Sequence, residues 1–389
     1  MIPRERILAA MNFEIPDRVP VMCQMSIGHM LQQLPEVSPV DFWFDVNTFA
    51  EGLIKLRAQY DFDGILVSLY GHKKNLEPAR RTYSFEAGGN DFQKRTEENG
   101  NEVLYADDRK YIFTREDLPF PEFYSERLFP SISEIDPEII PNELDYIPVS
   151  SGLHFKIDLN NKFEIFKILY EKIRDEFSIQ GEVTSPFDYL LDLLGYENAL
   201  IALIEEPDKC KAILQKFTDG VVQLSKEMCE QKIDAIKISS PFAGAGFISP
   251  DFYREFVLPY ESQIIKVIKA KGKHVYIHTC GAINDRLEMM IESGTSGLEC
   301  LDPKPLGDVD LIDAKRRLEQ KVFIKGNIDS VNTLLYSDEK KIIDDVKEII
   351  EVGKQKGGFI LSTACSIAPM VKRENIQLLR ELADNFGVY

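Results

Sequence analysis

Three residues have types that do chemistry together: His278, Cys280 and Cys365. The first two sit in Lys271–Gly281, KGKHVYIHTCG, which reads as a short apolar strand over 274–277 ending in His-Thr-Cys-Gly. Side chains alternate along a strand, so His278 and Cys280, two apart, share a face if the strand persists. An imidazole and a thiol side by side are two legs of a metal site. A third leg, with a fourth position left open, would make it a catalytic zinc site. Cys365 supplies that leg only if the fold brings it to the end of the His278 strand. Spacing alone leaves open the plainer reading of three unlinked core residues.

The elements that must position them follow a regular rhythm. Eight short strand candidates run over 18–23, 64–69, 178–183, 235–239, 274–277, 296–300, 322–325 and 358–361, most of them separated by helical stretches. Continuous apolar strands alternating with helices imply a parallel sheet. Eight units fit an α/β fold of the closed (β/α)8 type, a TIM barrel, whose strand ends converge on one pocket. An open doubly wound sheet is the runner-up, disfavoured because no glycine-rich nucleotide loop follows the first strand. The reading is one domain over 1–389, with an insertion at about 81–150 after strand two. Tyr83–Phe85 and Glu102–Tyr105, flanking the turn-rich Gly88–Asn90 and Asn99–Asn101, predict an inserted β-hairpin, and a long proline- and acid-rich loop follows.

The strand ends are consistently polar. Strand three carries Glu182 at its end, Ser240 follows strand four, strand six carries Glu299 and Asn327 follows strand seven. Glu182, Glu299 and Asn327 are the catalytic candidates. Each glutamate reads as a proton acceptor, a fourth zinc ligand or an ion-paired barrel residue. Met22, Gln24, His29, His72 and Ser240 are candidates for the pocket wall. Cys300, adjacent to Glu299, faces the other side of its strand and reads as packing.

Composition sets outer bounds. The chain has 389 residues, 44 % of them apolar, and a net charge of -18. That charge opposes nucleic acid or an anionic membrane as partner. No apolar run is long enough to span a bilayer, and the first residues show no cleavable leader. Six scattered cysteines form no disulfide framework, and the reading is a cytoplasmic protein with free thiols.

The motifs also resemble a known family. Arg4–Met11 (RERILAAM), Pro16–Val21 (PDRVPV), Phe247–Pro250 (FISP), Tyr253–Tyr260 (YREFVLPY), His278–Gly281 (HTCG), Lys325–Asp329 (KGNID) and Gly358–Cys365 (GFILSTAC) together resemble the uroporphyrinogen decarboxylase superfamily across essentially the whole chain. The resemblance implies a (β/α)8 barrel. Its decarboxylases carry an arginine-rich segment near the start, but Met22–Met30 here has no arginine. Its other branch comprises corrinoid-dependent methyltransferases, with zinc held by a His-x-Cys pair and a distant Cys. His278, Cys280 and Cys365 match that pattern, and Ala364 stands where many relatives have glycine. The resemblance therefore implies a zinc enzyme that exchanges a methyl group with a corrinoid (cobalamin). No stretch reads as a corrinoid-binding module, so a separate corrinoid protein is the expected partner. Transfer from a small methyl ether, as in an O-demethylase, is the preferred reading. Methyl transfer from the corrinoid to a thiol is the alternative, and uroporphyrinogen-type decarboxylation a further one. The sequence leaves the oligomeric state open, a homodimer included.

Overall fold

The computed structural model describes residues 1–72, 82–84, 91–96, 102–106, 109–113, 122–123, 129–149 and 153–389. Strand β1 (Gly64–Val67) opens the main sheet. The insertion follows as β2 (Thr82–Ser84), β3 (Asp91–Thr96), β4 (Glu102–Ala106), β5 (Arg109–Phe113) and β6 (Glu122–Phe123), a five-stranded antiparallel sheet in sequence order. The single hairpin expected from the sequence is thus one part of a larger meander. The turns expected at 88–90 and 99–101 lie outside the described residues. A separate hairpin, β7 (Tyr146–Val149) with β8 (Leu153–Lys156), ends the excursion.

The main sheet resumes with β9 (Ser178–Thr184), β10 (Ala235–Ser239), β11 (His274–Thr279), β12 (Gly297–Cys300), β13 (Phe323–Ile328) and β14 (Phe359–Thr363). With β1 these form seven parallel strands in sequence order. Their residues are almost all buried because helices cover the outside and side chains fill the inside. The eighth stave is residues 19–25. Met22 N–H donates to Leu361 O at 3.0 Å and Leu361 N–H donates to Pro20 O at 2.9 Å, tying this segment to β14. Asp63 N–H donates to Val21 O at 2.8 Å, tying it to the start of β1. The ring is a TIM-type barrel.

Asp63 clasps that seam. Its carboxylate accepts from Arg6 Nη1 at 2.5 Å, Arg18 Nη1 at 3.0 Å and Val21 N at 2.7 Å, all buried. The helix Pro3–Met11, with proline in its first turn, closes the bottom of the barrel through Ile7, Ala10 and Met11. These pack on Tyr276, Phe323, Ile360 and Met22. Met22 therefore belongs to this bottom layer and not to a pocket wall, because alternation along 19–25 points it down the barrel axis.

Gly195, at φ +78, separates Pro186–Leu194 from Tyr196–Glu205. Val257 separates Pro250–Phe256 from Leu258–Ala270, since Pro259 has no N–H to continue the first helix. Two short helices, Ile27–Gln33 and Pro39–Phe44, were not expected, although Ser26 and Ser38 cap them. Among the described residues no helix is long and apolar enough to cross a membrane.

Candidate metal centre and its cavity

β11 ends at Thr279, and Gly281 turns the chain at φ +75. Gly244 packs beneath that turn, where a Cβ would lie 2.6 Å from Cys280 O. Cys365 follows β14 on the far side of the barrel mouth, and closure brings it across. His278 Nε2 lies 3.3 Å from Cys280 Sγ, and Cys280 Sγ lies 3.5 Å from Cys365 Sγ. The three donor atoms fall within 4.8 Å of one another.

A layer of charge lies underneath, set by strand register. Glu299 on β12 sits opposite both His278 on β11 and Lys325 on β13. Its Oε2 is 2.8 Å from His278 Nδ1 and its Oε1 is 2.6 Å from Lys325 Nζ. Lys237 on β10 reaches Glu182 Oε2 at 3.0 Å, Glu299 Oε2 at 3.7 Å and Gln24 Oε1 at 2.7 Å. Both lysines are fully buried, which a charged group tolerates only when paired.

The electrostatics follow from these contacts. Burial acts to raise the Glu299 carboxyl, but Lys325, Lys237 and the His278 bond outweigh it and hold Glu299 well below the usual carboxylate range. Burial and Lys237 push His278 down. Its bonds to Cys365 and Glu299 win, and the imidazole rises to about 9. Bonds from Cys300 and Cys365 drive Cys280 strongly toward thiolate. Cys365, bonded to that thiolate and buried, moves the other way.

The donors fit a soft divalent ion such as zinc. Glu299 engages Nδ1 of the imidazole, so Nε2 faces the sulfurs. A carboxylate behind a ligating histidine is what fixes tautomer and ring orientation in metal sites. Three protein donors would leave such an ion one coordination position for a substrate atom.

Above the donors is a cavity of about 650 Å³, lined by His278, Cys280 and Cys365 together with Gln24, Glu182 and Ser239. Its upper wall is apolar, built from Met25, Ile27, Leu69, Tyr196, Phe242 and Phe247. Among the described lining residues there is no lysine or arginine. Asp188 lines it as well, and burial beside Glu261 pushes its carboxyl up to about 8 despite the Ser185 hydrogen bond.

Of the residues singled out in the sequence, Gln24 and Glu182 line this cavity, and Glu299 sits behind His278. Met22, in the bottom layer, and four others do not reach it. His29 lies on the helix Ile27–Gln33 rather than on a loop, fully buried, with Nε2 2.8 Å from the Tyr60 hydroxyl. Burial lowers it to about 4. His72 is packed between Phe49 and Phe155, at ring distances of 4.6 and 4.9 Å, and burial lowers it to about 3. Ser240 lies one step past β10 and so faces outward beside Glu261, while Ser239 takes the cavity position. Asn327 is turned toward a second cavity of about 420 Å³ and donates to Leu301 O at 3.1 Å. Leu301 follows the end of β12 at φ +55, off the sheet ladder, so its carbonyl depends on such a donor.

Sequence reasoning missed Lys237 and Lys325. The signal was present, since a lysine inside the apolar runs AIKIS and FIKG implies a buried charge partner. It also missed that Cys300 lies near Cys280.

Comparison with known proteins agrees with the fold. The chain is 25% identical over 384 residues, 98% of both chains, to a methylcobamide:CoM methyltransferase of Methanosarcina barkeri. It is 27% identical over 230 residues, 56% of this chain and 63% of the other, to a uroporphyrinogen decarboxylase of Chlorobaculum parvum. A solved structure described as a methyltransferase from Methanosarcina mazei superposes with a TM-score of 0.70 at 20% identity, covering 99% of each chain. The uroporphyrinogen decarboxylase (URO-D) family model matches residues 131–386, which span β7 to the last helix and carry all three donor residues, and the chain belongs to that family.

Proposed function

We propose that this chain is a zinc-dependent methyltransferase that moves a methyl group between a corrinoid held by a separate protein and a small co-substrate, with a thiol as the acceptor. The observation that carries this is the convergence of His278, Cys280 and Cys365 at the floor of one cavity. The full-length similarity to a methylcobamide:CoM methyltransferase supports corrinoid-dependent transfer and moves the preference from an ether donor to a thiol acceptor. The lining argues against a porphyrinogen substrate. Several carboxylates would need counter-charges, and none of the described lining residues is cationic.

Zinc bound by the three donors would lower the pKa of a thiol in its open position, or polarise an ether oxygen. The rest of the work falls to the chain. Glu299 orients His278, and Lys237 and Lys325 keep Glu299 charged. Glu182, on the cavity wall above Lys237, is placed to take the proton of an entering thiol, with the ammonium opposing the charge that remains. The apolar upper wall limits water around the reacting sulfur.

A methyl-ether donor is the second reading. The breadth of the cavity and its Phe242–Phe247 wall favour it, because an aromatic-walled space of about 650 Å³ takes a donor bulkier than a small thiol.

The test combines metal analysis with a methyl-transfer assay. Purified protein should carry zinc, and Cys280→Ser and Cys365→Ser should each lose the ion held by the three donors. The zinc-loaded chain should remove the methyl group from methylcobalamin only when a thiol is added. Retention of full zinc by either variant would sink the site. Methylation of reduced corrinoid by methyl ethers, with no thiol reaction, would select the second reading. Release of carbon dioxide from uroporphyrinogen would overturn both.

A further inference from the structure

Behind the three-donor floor lies a second set of donors that the proposed reaction does not use. β12 ends at Cys300, and the backbone then takes φ +87 at Cys300 and +55 at Leu301. This turn brings Cys300 and Asp302 to the outer side of Cys280. The donor atoms of Cys280, Cys300 and Asp302 lie within 4.8 Å of one another. Cys300 is fully buried and Asp302 is 4 % exposed. The Cys300 thiol donates to Asp302 Oδ2 at 3.2 Å, and Gly281 N–H donates to the same oxygen at 2.7 Å. Asp302 Oδ1 is buried and has no hydrogen-bond partner. An unsatisfied buried carboxylate oxygen is costly and calls for an explanation.

We propose that Cys280, Cys300 and Asp302 form a second position for a soft divalent ion, adjacent to the first and bridged to it by the Cys280 sulfur. Two thiolates and a carboxylate are zinc- or cadmium-type donors. Filling the position requires Cys300 to release its proton to solvent as the metal–sulfur bond forms. Charge then closes: three thiolates and one carboxylate balance two divalent ions, with His278 neutral. A Cys280 thiolate shared with a second ion would donate less to the first. The inference rests on the first site through the shared sulfur, so its test must separate the two.

The experiment is a cadmium(II) titration of metal-stripped protein, read by bound metal per chain and by ¹¹³Cd NMR. The expected result is two ions and two resonances. Cys300→Ser should abolish one resonance and keep the other. Cys365→Ser should do the converse. Asp302→Asn should weaken the second ion by at least the roughly tenfold that loss of an outer-shell partner costs, and it serves as the readout if Cys300→Ser fails to fold. One ion per chain, with Cys300→Ser and Asp302→Asn binding as wild type, overturns the second position and leaves the first intact. No ion in the wild type overturns both.

Discussion

Replacing Glu299 with glutamine keeps the side chain's shape and removes a charge that three groups share. Lys325 at 2.6 Å, His278 at 2.8 Å and Lys237 at 3.7 Å all face its two oxygens. Glutamine offers one acceptor oxygen, so at least one of these donors would confront an NH₂ group. Lys237 keeps Glu182 and Gln24. Lys325 keeps, of its described contacts, the Tyr276 hydroxyl at 3.4 Å and the Tyr276 ring at 5.1 Å, neither of which can neutralise a fully buried ammonium. Removing one partner of a buried ion pair costs about 3–5 kcal/mol of folding stability. Separately, loss of the carboxylate that orients a ligating histidine lowers metal affinity about 10–100-fold, or about 1.4–2.7 kcal/mol. The two effects are measured apart. Denaturant unfolding of metal-stripped protein gives the first, and zinc competition against a chelator gives the second. A folded Glu299→Gln variant that binds zinc within about twofold of wild type would refute the argument that Glu299 positions His278.

Other consequences can be checked alongside. Asp63→Asn leaves Arg6 and Arg18 without their shared carboxylate, so about 3–5 kcal/mol should be lost in denaturant unfolding, with amide exchange rising first in residues 19–25. Gly244→Ala pushes a methyl group into two backbone oxygens, Cys280 O at 2.6 Å and Ala282 O at 3.3 Å. It should cost about 1–3 kcal/mol and weaken zinc binding, whereas Gly246→Ala, with nothing within 4 Å, should do neither. Burial raises Asp188 from 3.8 to about 8 and Glu261 from 4.5 to about 7. The folded state therefore holds more protons than the unfolded state across that window. Stability contributed by the protonated acids is complete below the unfolded values and is lost as pH rises through about 7 to 8. Thermal midpoints should fall over that range, and the slope should flatten in Asp188→Asn. An unchanged slope would show that Asp188 is already ionised in the fold.

How far the sequence disclosed this arrangement varies by element. The barrel strands were legible because a parallel strand buried on both faces reads as an unbroken apolar run, as in GILV and FILST. The 18–23 run was legible for the same reason, although it pairs through isolated bridges rather than a full ladder. His278 and Cys280 were visible as a pair. Cys365 became their neighbour only through closure, a property of the whole ring. His29 and His72 show the opposite failure. Nothing local distinguishes a histidine at a pocket mouth from one sealed among Tyr60, Phe49 or Phe155, because burial depends on residues distant in the chain. Asn327 and Ser240 turned on single-residue changes of direction at strand ends, where period-two alternation gives no guidance.

The barrel seam joins residues 19–25 to β14. Until β14 has been synthesised, the segment that it pairs with remains an unclosed edge, and Cys365 follows β14 directly. During translation the ribosome must therefore release nearly all of the matched region before the final staves can meet. Long-range closure of this kind slows folding and prolongs the exposure of edges that invite aggregation. Any chain truncated before residue 365 lacks the third donor. A metal site that needs Cys365 would therefore assemble only after the ring is complete, whereas Cys280, Cys300 and Asp302 all precede β14.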